Sequence, residues 1–161
     1  KCESCPAVKL CPTRRLGLQA EIPRPKAKQA FEAVREAALL LSRADGRFLI
    51  VQRAGGDRRG GLWDFPRYAV DAEQPAAAVV ELQTKSKATL GLEAEIGDLR
   101  TTLKHGVTRF RITLDAYEAT LLSGRLKVQG FAAARWVRKS ELAEYPLNVT
   151  ARKLAQLVTK T

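Results

Sequence analysis

Residues 107–119, VTRFRITLDAYEA, alternate with a period of two. Thr108, Phe110, Ile112, Leu114 and Ala116 share one face, while Arg109, Arg111, Thr113 and Asp115 share the other. A helix would scatter those apolar residues around its circumference. Only a sheet with a core on one side satisfies the pattern, so the chain is expected to be built on strands. The surrounding sequence agrees. EAALLLSRADGRFLIVQR reads as two apolar β runs around Asp45-Gly46, a hairpin signal. GLWDFPRYAV reads as a third extended segment. LEAEIGDLRTTL reads as a strand that joins the alternating one through Lys104-His105-Gly106. RLKVQG and FAAARWVR continue the strand pattern.

Helical signals are fewer. QPAAAVVELQTKSKATLGL has Pro75 at a helix start and Gly91 at a natural stop. SELAEY forms a short helical stretch. From Asn148 to about Val158, Ala151, Leu154, Ala155 and Val158 fall on one helical face. Strands, a helix, more strands and a terminal helix predict an α+β fold, a mixed β-sheet flanked by helices. Trp63, Phe65 and Trp136 read as core.

Ahead of this body lies KCESCPAVKLCP, with Cys2, Cys5 and Cys11 in a C-x2-C-x5-C spacing and no other cysteine in the 161 residues. Three clustered thiols point to metal ligation in a reducing compartment, although tetrahedral sites take four ligands. Three readings stand: zinc completed by His105, the only histidine; ordinary free thiols; or an iron–sulfur loop that lacks its first cysteine. The chain therefore reads as a piece of something longer. EIPRPKAK, with Pro23 and Pro25, reads as a linker. The expected organisation is residues 1–16 as the end of a cysteine loop, 17–33 as linker and 34–161 as the folded body. KQAFEAVREAAL is a candidate docking helix for a repair partner through that linker.

Charge bears on partners. The net charge is +11, from 28 Lys and Arg against 17 Asp and Glu. Residues 1–33 carry seven cations and three Glu, so a net +4 of it lies there. A body this basic favours a polyanionic partner. No apolar run approaches the roughly 18 residues that span a bilayer, so no membrane partner is expected.

Cys2-x2-Cys5-x5-Cys11 resembles the last three ligands of the iron–sulfur loop of endonuclease III and MutY-type DNA glycosylases, whose pattern is C-x6-C-x2-C-x5-C. GRFLIVQRAGGDRRGGLWDFP and FAAARWVRKSELAEYPL are similar to a MutT/Nudix-like domain. Together they resemble the C-terminal portion of a MutY-type adenine DNA glycosylase. That resemblance implies a Nudix-like fold and a 4Fe-4S cluster in the intact enzyme, absent or incomplete on Cys2, Cys5 and Cys11. It implies base excision repair of 8-oxoguanine:adenine mispairs in double-stranded DNA, in a cytoplasmic or nucleoid setting. It further implies a monomer that recognises the lesion but has no catalytic residue of its own.

Aligned on Gly91-Leu92, the metal-binding glutamates of the Nudix box fall on Ala76, Lys85, Ala88 and Thr89, which excludes a Nudix magnesium site. In the family a Phe-Ser-His-like loop contacts the lesion, and Val107-Thr108-Arg109 stands in its place. Thr108, Val107, Arg109, His105 and Arg111 are the expected lesion and DNA contacts, with Arg53, Arg58 and Arg59 as further phosphate candidates. Two alternatives remain: a stand-alone Nudix-type hydrolase of oxidised nucleotides, and a repair-protein interaction module.

Overall fold

The computed structural model describes residues 2–22, 24, 30–56, 60–71 and 74–159. Arg58 and Arg59 lie outside the described residues, as do Pro23 and most of the proline-rich stretch. Two compact units are present, Lys1–Ala30 and Phe31–Thr161.

In the first unit, a single-turn helix α1 (Pro12–Arg15) and a 3₁₀ turn (Leu18–Ala20) bury no side chain. Cys2, Cys5 and Cys11 are half-exposed free thiols, on a loop closed by main-chain bonds such as Val8 N–H to the Cys5 carbonyl at 3.0 Å.

The second unit is a seven-stranded mixed sheet. Its strands are β1 (Glu32–Ser42), β2 (Phe48–Gln52), β3 (Trp63–Asp64), β4 (Arg67–Ala69), β5 (Leu92–Val107), β6 (Phe110–Gly124) and β7 (Ala133–Val137). The helix α2 (Pro75–Leu90) follows β4, and α3 (Val149–Thr159) closes the chain after a 3₁₀ segment, Lys139–Glu144. The path runs β3-β2-β1-β6-β5, with β4 on β1 and β7 on β2. Among the named strands, β1 and β6 pair in parallel, over Glu32↔Phe110 to Ser42↔Thr120.

β1 is the central strand, and its sequence shows why. Ala37–Leu41 are all buried, a continuous apolar run suited to a strand covered on both faces. Ala38 and Leu40 join Leu114, Ala116, Leu154 and Val158 under α3. Ala37, Leu39 and Leu41 join Leu82 and Leu90 under α2. The mixed sheet between helices that the pattern predicts is therefore present. The candidate docking helix is corrected: from Glu32 onward that segment is β1, because its apolar residues satisfy two opposite cores at once.

The hairpin at Asp45-Gly46 forms, with Arg43 paired to Asp45. α2 starts on Pro75 and stops at Gly91, whose φ of 66° supplies the left-handed cap. Trp63 and Phe65 are buried, whereas Trp136 is half-buried with the Arg43 guanidinium 5.2 Å from its ring. RLKVQG is not a strand beyond Gly124. The β5–β6 connection also differs from expectation. β5 runs through Lys104-His105-Gly106 to Val107, which pairs with Phe110, so the loop is Thr108-Arg109. Thr108 takes φ 51°, the one positive φ among described non-glycine residues. A two-residue hairpin loop requires such a conformation, and the Thr108 hydroxyl donates to the Val107 carbonyl at 2.7 Å.

Gly124 ends β6 at φ +112°, and a Cβ there would stand 2.4 Å from the Gly91 carbonyl oxygen. Gly124→Ala is expected to cost about 2–3 kcal/mol, read as a lower urea midpoint with unchanged slope.

Candidate functional site

Where β1, β4 and the end of β5 meet the start of α3, a cleft of about 420 Å³ opens. Its apolar walls come from Val34, Val107, Phe110, Ile112 and Val149. Its polar lining comes from Glu36, Arg53, Arg67, His105, Asn148 and Thr150.

The polar part is organised by one residue. The Arg67 side chain has no exposure, and a guanidinium cannot shed its charge, so it must be surrounded by acceptors. Its Nε donates to Glu36. One terminal nitrogen donates to Thr150 Oγ1 at 2.9 Å and Asp64 Oδ2 at 3.4 Å, and the other meets His105 Nε2 at 3.4 Å. Asp64 is fully buried. Its carboxylate also accepts from Asn148 Nδ2 at 2.8 Å and the Phe65 amide at 2.9 Å. Asn148 Oδ1 in turn takes the Thr150 hydroxyl and the Ala151 amide, 2.8 and 2.9 Å, capping α3. One hydrogen-bonded chain thus ties β1, β3, β4, β5 and α3 together. Because a guanidinium only donates, His105 Nε2 is the acceptor and the ring proton sits on Nδ1.

Of the residues expected from sequence, Val107, His105 and Arg53 line this cleft. His105 is half-buried on β5 rather than at a turn, a correction that follows from the shorter loop. Thr108 and Arg109 are exposed at the tip, outside the lining. Arg109 lies 3.8 Å from Glu32 and its guanidinium 5.1 Å from the Phe110 ring. Arg111 stacks over Phe31 at 4.0 Å. Sequence reasoning missed Glu36, Asp64, Arg67, Asn148 and Thr150. The signal was present: Asp64 and Arg67 interrupt the apolar run LWDFPRYAV, and a charged pair inside such a run demands buried partners.

A second groove of about 380 Å³ runs along α2, sharing Arg53, Arg67 and Ala69 with the cleft. Tyr68 meets Thr89 Oγ1 there at 2.8 Å. Burial pushes its phenol above the usual value, against the opposing effects of the Thr89 bond and the Arg53 cation.

A NUDIX domain family model matches residues 37–157. The chain is 30% identical over 114 residues to the CTP pyrophosphohydrolase of Escherichia coli K12, covering 70% of this chain and 82% of that protein. It is similar to the MutT protein of Methanosarcina mazei Go1, with a TM-score of 0.71 at 14% identity over 84% of this chain and 97% of that one. It is also similar to the MutT NUDIX hydrolase of Burkholderia pseudomallei, with a TM-score of 0.64 at 23% identity over 78% and 97%. Likeness at these identities concerns the fold.

These relatives correct the functional expectation. They are Nudix and MutT proteins, and the family model matches within the body, so the MutY-type glycosylase reading is set aside. With it go the role in mispair repair, the double-stranded DNA partner and the inactive fragment. The 4Fe-4S cluster goes too: Cys2, Cys5 and Cys11 lie outside the matched segment, and no group of three or more His, Cys, Asp or Glu is gathered to hold a metal among the described residues. The exclusion of a Nudix magnesium site is likewise overturned, because Nudix hydrolases use a divalent metal such as magnesium. The described residues of α2 do not themselves fit that ion. Glu81 is the helix's one carboxylate, and it is bound to Lys85 Nζ at 2.5 Å.

Arg67→Met would leave the buried Asp64 and the part-buried Glu36 without their cation. The cost is expected to be about 3–5 kcal/mol, measured by urea denaturation, with a larger loss than from Arg43→Met on the exposed hairpin.

Proposed function

The chain belongs to the NUDIX domain family, and on that footing we propose that it is a nucleotide pyrophosphohydrolase whose base-binding site is the cleft above Arg67. The observation that carries this reading is the cleft's division into apolar walls and a fixed polar floor. It is supported by the likeness to a CTP pyrophosphohydrolase along most of that protein's length.

A nucleobase is a flat apolar plate with a polar edge. Val34, Ile112, Val107 and Phe110 offer surfaces for the plate. For the edge, Glu36 supplies a carboxylate that only accepts, and the His105 ring lines the cleft beside it. An exocyclic amine, as on cytosine, is the complement of that carboxylate. Arg67 touches both residues and fixes their orientation before any ligand arrives, so little side-chain freedom is lost on binding. The reaction consumes water. Its oxygen attacks a phosphorus of the triphosphate, the phosphoanhydride bond breaks, and nucleoside monophosphate and pyrophosphate leave. The chain's own part is to hold the base and exclude water from its edge.

With magnesium present, the chain is expected to release pyrophosphate from CTP faster than from UTP, which presents a carbonyl where CTP presents the amine. His105→Ala is expected to raise KM about tenfold with a smaller change in kcat, from the loss of one base contact. Absence of pyrophosphate from any nucleoside triphosphate would overturn the reading.

A further inference from the structure

All three cysteines fall within residues 2–11, outside the residues 37–157 that the NUDIX model matches, and the pyrophosphohydrolase reading uses none of them. The backbone divides them into a pair and a third. Residues 2–5 form a hydrogen-bonded turn, in which the Cys5 amide donates to the Cys2 carbonyl at 3.3 Å across Glu3 and Ser4. Such a turn holds its end Cα atoms within about 7 Å, and a disulfide requires about 4.4–6.8 Å. We propose that Cys2 and Cys5 are a reversible dithiol–disulfide site, oxidised by a small-molecule disulfide of the glutathione class.

Cys11 is set apart from that pair. Two further turns intervene, closed by the Val8 amide on the Cys5 carbonyl and the Leu10 amide on the Ala7 carbonyl, each at 3.0 Å. Cys11 itself is extended, with φ −80° and ψ 110°, ahead of Pro12. All three thiols are half-exposed, so access alone does not select a pair; the turn does. The helix α1 and the 3₁₀ turn that follow bury no side chain, so closing the pair disturbs no packed core there. A bridge over so short a loop removes little chain entropy, and exposed bridges are the ones that small thiols reopen.

The exchange balances on thiols alone. One cysteine thiolate attacks a sulfur of the small disulfide, whose bond breaks to release one small thiol and leave a mixed disulfide on the chain. The second thiolate attacks the chain's sulfur of that bond, the Cys2–Cys5 bond forms, and the second small thiol leaves. Two electrons pass from the chain to the small disulfide, and the two protons end on the released thiols.

Trypsin separates the outcomes, because Lys1, Lys9 and Arg14 place Cys2 and Cys5 in one peptide, 2–9, and Cys11 in another, 10–14. The full chain is equilibrated with oxidised glutathione, quenched in acid, labelled with N-ethylmaleimide and digested for mass spectrometry. Peptide 2–9 is expected unlabelled and two hydrogens light, about tenfold more abundant than any cross-link between 2–9 and 10–14, with Cys11 carrying label or glutathione. Excess dithiothreitol is expected to restore labelling of all three cysteines. Cys11→Ser is expected to leave the yield of the bridge unchanged, and Cys5→Ser to leave Cys2 with glutathione alone. A dominant cross-link between the two peptides, separate glutathione adducts without an internal bridge, or three cysteines still labelled would overturn the site.

Discussion

The second unit is organised around a single buried cation. Arg67 stands where β4 meets β1, and its guanidinium is shared among Glu36, Asp64, Thr150 and His105, which come from β1, β3, α3 and β5. Burying such a charge is unfavourable unless every donor finds an acceptor. Displacing α3 would take Thr150 from Arg67 and Asn148 from Asp64, and displacing β5 would take His105 from Arg67. The same demand produces the cleft. Polar groups tied to Arg67 cannot also fill the space before them, and the apolar residues of β1, β5 and β6 wall that space without closing it.

The sheet around this network follows from simpler forces. β1 is apolar on both faces because α2 covers one and α3 the other. β6 alternates near its start and becomes buried from Leu114 to Tyr117 as it enters the sheet beside β1. In the first unit, the three thiols are free and the helix buries no residue.

Much of the fold was legible because periodicity and punctuation carry it. Pro75 and Gly91 bracket α2 by backbone restriction alone, Asp45-Gly46 marks its hairpin, and Ala151, Leu154, Ala155 and Val158 mark the face of α3. The β5–β6 loop was not legible. Its turn depends on Thr108 adopting a left-handed backbone conformation, unusual for a β-branched residue, whereas Gly106 offered a more ordinary turn signal. The candidate site was partly legible. His105 and Val107 were singled out, but through a family resemblance rather than through their neighbours. Arg67, Asp64 and Asn148 were hidden because their roles depend on contacts across 31 to 84 residues of chain. The glycosylase resemblance combined GLWDFP with three cysteines outside the matched domain, and those cysteines are not in the cleft's lining.

The central claim is that a nucleotide base sits against Glu36 and His105 above the Arg67 network. Its most direct test is an amide-detected NMR titration of the full chain with the non-hydrolysable αβ-methylene analogue of CTP. The account predicts saturable shifts concentrated at Val34, Glu36, His105, Val107 and Ile112, with Cys2–Leu16 unmoved. Saturable shifts confined to other surfaces, or none at all at millimolar analogue, would contradict it.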